Sequence, residues 1–428
     1  MQIVEKSGGS RRRLTENIFS LYVLQGMNYV IPMAVLPYLV RVLGMEMYGL
    51  VAFAQSFAQY FTVLTDYGFN FSATRSIAQN QEDHLHTSRL FCSVYLIKIL
   101  LTLAGSIILA LIVVFLPRFH HEAHFFFAAY LAVAGNALFP TWYFQGVEKM
   151  RYISAIAGLS RLFGAIALFV FVHKPKDAFL AILIQSGISA VSGIIGMGAA
   201  IRTFHFRLVI PSAAEIRETL AEGWHLFLSS AAMGLYTNTN VFLVGIFAGN
   251  ADAGYFSAAE KLLRATQGLI VPVIQATFPH INSLRIQSSE LALRFVNRSL
   301  RWIGGLTLIP SLLIFFFATQ ITFLCFGKGA AGSVPVVRWI AFLPVLSAVS
   351  NVLGITTMIP FGLDKQFSRI VIFAGLLNIA LAIPLVLHFG AAGAGASILV
   401  TEVFVASGIV IQLERHDLHV LRLREIAA

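Results

Sequence analysis

The chain has 428 residues, of which 57% are hydrophobic and only 12% charged, with a mean hydropathy of +0.79 and a formal net charge of +10. A water-soluble domain of this size carries about 25% charged residues, so a soluble globular protein is excluded and most of the surface must face lipid. The two cysteines, Cys92 and Cys325, fall inside predicted spans, which leaves no disulfide framework to expect.

Taken in chain order, long stretches without Asp, Glu, Lys or Arg run over Asn17–Val40, Phe125–Val147, Ala178–Ile201, Trp302–Gly327 and Trp339–Leu363. About 20 apolar residues are needed for a helix to cross the hydrocarbon core, and these stretches lack the ~10-residue alternation of barrel strands. The first of them follows Arg11-Arg12-Arg13. It is longer than a signal-peptide core and no small-x-small site comes after it, so it reads as a retained span. The pattern predicts an all-α integral membrane protein of about twelve transmembrane helices. They are placed at 17–40, 47–66, 91–116, 124–145, 152–172, 178–201, 223–248, 253–280, 302–326, 334–360, 367–388 and 391–413. The last two come from one uncharged run, split at His388-Phe389-Gly390.

Lys and Arg collect in short cytoplasmic loops. With the N-terminus inside, twenty of the 30 cations fall on the cytoplasmic side, five on the opposite side and five within spans. Both termini are therefore expected in the cytoplasm. The net positive charge reflects loop orientation and does not argue for nucleic acid.

Two short patterns repeat. Gly44-x-x-x-x-Gly49 recurs as Gly249-x-x-x-x-Gly254, and Gly146-Val-Glu-Lys149 recurs as Gly362-Leu-Asp-Lys365. Their similar offsets suggest two six-helix lobes of equal orientation around a central cavity, the arrangement of parallel-repeat transporters. The expected division is 1–205, 206–413 and a cytoplasmic tail at 414–428.

Ionisable groups inside a membrane mark cavities or pairs. Glu260 and Arg264, four apart in the eighth span, share a helix face with Gln267, and Lys261 lies beside them. An internal ion pair that only pins the helix is the simpler alternative. Lys98 and Arg338 sit near span ends, where snorkelling accounts for them, whereas Arg161 is mid-span. The acids are Asp66, closing the second span, and Glu402 in the twelfth. Excess positive charge points to an anionic cargo such as a pyrophosphate. Tyr236-Thr-Asn-Thr-Asn240 offers Asn238 and Asn240 either to sugar hydroxyls or to helix packing.

Leu235-Tyr-Thr-Asn-Thr-Asn240, Ala253-Gly-Tyr-Phe-Ser-Ala-Ala-Glu-Lys261, Pro272-Val-Ile-Gln-Ala-Thr-Phe-Pro279, Thr65-Asp-Tyr-Gly-Phe-Asn70 with Ala73-Thr-Arg75, and Gly390-Ala-Ala-Gly-Ala-Gly395 together resemble the polysaccharide flippases for O-antigen and related repeat units. That family belongs to the multidrug/oligosaccharidyl-lipid/polysaccharide exporter superfamily. The resemblance implies a bacterial inner-membrane, multi-pass flippase, not an enzyme, with no cofactor. Its implied cargo is an undecaprenyl-pyrophosphate-linked oligosaccharide moved to the periplasmic leaflet. Membrane lipids, a polysaccharide polymerase and a chain-length regulator are its candidate partners. Under that reading Lys261 and Arg264 hold the pyrophosphate with Arg161 and Lys98 as helpers, Asn238 and Asn240 meet the sugar, and Glu260 and Asp66 are candidates for the coupling ion. His280 departs from the pattern, which has Arg at that place. The competing classes are a drug/cation antiporter of the same fold, a membrane enzyme of polysaccharide synthesis and a purely structural membrane protein. No Asp-x-Asp, HExxH, Walker A or GxSxG pattern supports the enzyme.

Overall fold

The computed structural model describes residues 2–204, 209–268, 271–418 and 420. Within them, the side chains of 2–29, 204, 233, 235–237, 271–276 and 279 lie outside the description. The side chains of Arg11 to Arg13, Tyr236, Thr237 and Pro272, together with Arg207 and most of the predicted tail, therefore fall outside the described part of the chain. The described chain is helical throughout and contains no strand. Eight of its helical stretches are long and apolar enough to cross a membrane: Val30–Gln79, His84–Phe115, Ala123–Gly146, Met150–Phe171, Pro175–Thr203, Ser289–Phe316, Ser333–Met358 and Asp364–Arg415.

Two of these stretches are bent rather than continuous. The run Gln2–Asp66 turns at Gly44 (φ 73°), and Asp364–Arg415 turns at Gly390 (φ 57°), where the sequence places its inter-span turn. A left-handed residue breaks the i to i−4 ladder, and glycine adopts it without the Cβ penalty. The predicted seventh span lies within the helix Ala213–Phe247. The predicted eighth is carried by Asn250–Gly268 and Val271–Gln287.

The chain forms two compact units. One comprises Met1–Leu43 and Leu50–Gly234, the other Gly44–Gly49 and Leu235–Ala428. In the first, Phe53, Phe57 and Phe61 lie at successive turns of one helix and meet the rings of Phe119, Phe126 and Tyr130. A second core gathers Phe91, Tyr95, Trp142, Tyr143 and Phe144. The start of Ala213–Phe247 is fixed by a reciprocal cap in which the Ser212 backbone N–H donates to Glu215 Oε2 at 2.7 Å and Glu215 N–H donates to Ser212 Oγ at 3.3 Å.

In the second unit the repeated glycine pattern has a packing role. A Cβ on Gly49 would fall 1.7 Å from the carbonyl oxygen of Asn250, and one on Gly254 would fall 2.1 Å from that of Met45. The two copies of the repeat thus pack on each other, backbone against backbone. The other repeat aligns differently from its sequence match. Glu148 (φ 57°) and Gly362 (φ 80°) are the left-handed residues that end their helices. Each is followed by an N–H that reaches back five residues, Lys149 to the Phe144 carbonyl and Leu363 to the Met358 carbonyl. The structural counterpart of Gly362 is therefore Glu148 rather than Gly146.

Candidate functional site

The helix Asn250–Gly268 carries the densest set of charges in the second unit, and its start is held on two sides. Gly254 packs on the Met45 carbonyl. Asp252 Oδ1 accepts the Ala391 N–H at 2.8 Å, tying the helix to the bend at Gly390. Ala253, Phe256, Ala258, Ala259, Leu262 and Leu263 are buried. The polar face that remains is Glu260, Lys261, Arg264 and Gln267.

Glu260 and Arg264 form the i, i+4 pair that their spacing predicts. Arg264 donates from Nη2 at 2.7 Å and from Nε at 3.1 Å, both to Glu260 Oε1. The carboxylate is largely buried and the guanidinium is about half exposed, so the acid positions a cation that solvent still reaches. The pair borders a cavity of about 180 Å³ that Gln267, Asn240, Ser347, Asn378 and Glu402 also line, with Leu263, Ile340, Leu343 and Ile398 as its apolar wall.

The polar wall is organised by hydrogen bonds between helices far apart in the sequence. Gln267 Nε2 donates to Ser347 Oγ at 3.2 Å. Asn240 Nδ2 donates to Asn378 Oδ1 at 3.1 Å, and Asn378 Nδ2 donates to Thr401 Oγ1 at 3.3 Å. Thr401 in turn donates to the Ser397 carbonyl at 2.7 Å. Asn240 Oδ1 is buried and without a hydrogen-bond partner. A buried amide oxygen left so costs roughly 1–3 kcal/mol, an acceptor waiting for a donor. Guanidinium, amides and hydroxyls together can bind anionic oxygens and sugar hydroxyls. Among the described residues no group of three His, Cys, Asp or Glu side chains is placed to hold a metal.

The other predicted residues are placed differently. Lys261 does not line this cavity. Its ammonium lies 5.4 Å from the centroid of the Tyr48 ring, a cation–π arrangement, and Tyr48 is itself buried with its hydroxyl 3.5 Å from Ser257 Oγ. Asn238 is half-buried on the helix that presents Asn240. Lys98, Asp66 and Arg161 belong to the first unit. Lys98 Nζ is 3.1 Å from Asp66 Oδ1 and its side chain is 1% exposed. The snorkelling expected of Lys98 is thereby corrected, because its ammonium turns inward to a carboxylate instead of outward to water. Arg338 is exposed, with Nη2 3.5 Å from Thr319 Oγ1, as its place near a span end requires. Arg161 is exposed on Met150–Phe171. His280 is exposed, its ring edge-on to Phe295 at 4.6 Å.

Ser347 and Asn378 line the cavity and Thr401 accepts a hydrogen bond from Asn378, and the sequence pattern singles out none of the three. The available signal is Asn378, an amide inside the uncharged run Ile370–Thr401, where a polar side chain needs a partner or a cavity.

Comparison with known proteins extends this picture. The chain is 34% identical over 394 residues to a protein of Escherichia coli (strain K12) named as an O-antigen transporter, covering 92% of this chain and 95% of the relative. Among solved structures it resembles the lipid II flippase MurJ in an inward closed conformation, with a TM-score of 0.69 at 12% identity, covering 94% of this chain and 87% of the other. An inward-facing multidrug resistance MATE family transporter of the MOP superfamily matches with a TM-score of 0.67 at 15% identity, covering 96% and 100%. At such identities these two likenesses establish the fold. Residues 14–285, more than half of the sequence, match the family described as polysaccharide biosynthesis protein, and the chain belongs to that family.

Proposed function

We propose that this protein is a flippase that carries an undecaprenyl-pyrophosphate-linked oligosaccharide, an O-antigen or related repeat unit, from the cytoplasmic to the periplasmic leaflet of a bacterial inner membrane. It works by alternating access and is ion-coupled, with Glu260 and Asp66 as the candidate carriers. The observation that carries the reading is the cavity of the second unit, where Arg264, held by Glu260, stands beside Asn240, Gln267, Ser347 and Asn378. A guanidinium suits a pyrophosphate, and amides with hydroxyls suit a glycan. The O-antigen transporter relative and the family support the same cargo class.

Twelve spans with both termini inside fit this reading. The bends at Gly44 and Gly390 each divide a long helical run in two, and Gly249 (φ 95°) separates the helices on either side of it. Arg264 is the principal pyrophosphate ligand in this reading. Lys261 leaves Tyr48 to join it when cargo enters. Asn240 and Asn238 meet the sugar. The polymerase and chain-length regulator of the same pathway remain proposed partners.

The test is deletion of the gene, followed by analysis of lipid-linked oligosaccharide and surface polysaccharide. Repeat units trapped inside with the surface polymer lost support the flippase and identify the glycan. Complete repeat units still reaching the outer leaflet overturn it and leave drug export as the function to assay. Complementation with Lys261→Gln separates the residue from the fold, and export at the wild-type level removes Lys261 from the binding role.

A further inference from the structure

We propose that the outward face near the start of the Ser289–Phe316 helix docks the phosphate headgroup of an anionic phospholipid, with Arg298 and Arg301 as its ligands and Trp302 as its floor. The helix sorts its residues by side. Ala292, Val296, Ile303, Thr307, Ser311 and Ile314 are buried, and at 3.6 residues per turn all six fall on one side. On the opposite side Arg294, Arg298 and Arg301 are exposed, at spacings of four and three that stack them along a single face. Trp302, which is 72% exposed, follows Arg298 by four residues on that side, and Ile309 and Phe316 extend it.

Indoles settle at the headgroup boundary, and the apolar stripe beyond Trp302 belongs against acyl chains. Trp302 therefore sets the level of the interface. Arg301 is adjacent to it, Arg298 lies roughly 6 Å further out along the axis and Arg294 roughly 12 Å. The polar layer on each side of a bilayer is about 6 Å deep. Arg298 and Arg301 thus fall at phosphate depth, whereas Arg294 lies beyond it and is paired with Glu290. Cations that serve only to orient a chain need share no face and no depth. At the start of Ala213–Phe247, for comparison, Arg217 stands among Glu215, Glu218 and Glu222. The inference rests on the protein spanning a membrane and is independent of its cargo.

The experiment uses the full chain in proteoliposomes containing brominated phosphatidylglycerol or brominated phosphatidylcholine. The Trp302 signal is obtained by subtracting the W302F variant, since the chain has four tryptophans. Phosphatidylglycerol is expected to quench Trp302 at a roughly 25-fold lower mole fraction, the preference falling about fivefold for each arginine lost. R298Q/R301Q should erase the preference and leave quenching by phosphatidylcholine unchanged, while R298K/R301K keeps it. Salt at ~0.5 M should collapse it in the wild type, a reading that needs no variant. Equal quenching by the two lipids, a preference that survives R298Q/R301Q, or one that survives salt would overturn the proposal. None of these readings involves export, so failure here leaves the flippase assignment standing.

Discussion

Lys98 Nζ lies 3.1 Å from Asp66 Oδ1, with the lysine side chain 1% exposed and the aspartate 33% exposed. The unequal burial predicts an unequal response. Asp66→Asn strands an ammonium away from water, which costs on the order of 3–5 kcal/mol. Lys98→Met leaves a carboxylate that water still reaches, and the methionine fills the space. Thermal unfolding of the purified protein should rank wild type above K98M and K98M well above D66N. The double variant should recover toward K98M. A D66N protein as stable as K98M would show that the pair is not the buried contact it is taken to be.

The backbone approach between Gly49 and Gly254 sets a second expectation. Each added Cβ would meet main-chain atoms, at 1.7 Å from the Asn250 oxygen for Gly49 and 2.1 Å from the Met45 oxygen for Gly254, and main chain does not move aside as a side chain does. Gly49→Ala and Gly254→Ala should each lower folded yield severely. Gly304, within the Ser289–Phe316 helix, has open space around its Cβ position. There alanine should be neutral or stabilise by up to about 1 kcal/mol through helix propensity. Equal yields for G49A and G304A would refute the close packing.

Which parts of this were legible in the sequence depends on how local they are. Glu260 and Arg264 sit four residues apart, so helical geometry alone brings them together. Gly390 was legible as a turn because it precedes a run of small residues and interrupts an uncharged stretch too long for one span. How the cavity wall assembles from separate helices was not legible. Asn240 meets Asn378 across 138 residues and Gln267 meets Ser347 across 80, and no periodicity in one helix reports which face of another it will meet. Lys98 was misplaced for the same reason, since closeness to a span end said nothing of Asp66, 32 residues away.

The cap at Ser212 supplies a pH dependence. The Ser212 backbone N–H, then its hydroxyl, then Arg89 hold the Glu215 carboxyl below the usual carboxylate range. A group whose value is lowered by folding contributes stability above that range and loses it as pH falls through the lowered value. Hydrogen-exchange protection of the Ser212–Glu215 amides, corrected for intrinsic rates, should exceed that of Glu215→Gln at neutral pH. The two should converge in acid. Protection unchanged by E215Q at neutral pH would mean that the cap does not order this segment.

Arg264 and Glu260 allow binding and coupling to be separated. The guanidinium uses Nε and Nη2 on Glu260 Oε1, and its planar, forked donor set is an arrangement that a lysine ammonium cannot reproduce. Loss of a charge-assisted hydrogen bond costs roughly 1.5–3 kcal/mol, so Arg264→Gln should reduce export by about tenfold to a hundredfold. Arg264→Lys should recover only part of that loss. If Glu260 serves only to orient Arg264, Glu260→Gln is milder than R264Q, and the double variant matches R264Q alone. If Glu260 carries the coupling ion, E260Q removes the dependence of export on an imposed ion gradient, whereas R264Q lowers the rate and keeps that dependence. Measuring export in vesicles with and without the gradient decides between the two roles. Gradient-dependent export at the wild-type rate in both variants would remove this pair from the transport mechanism.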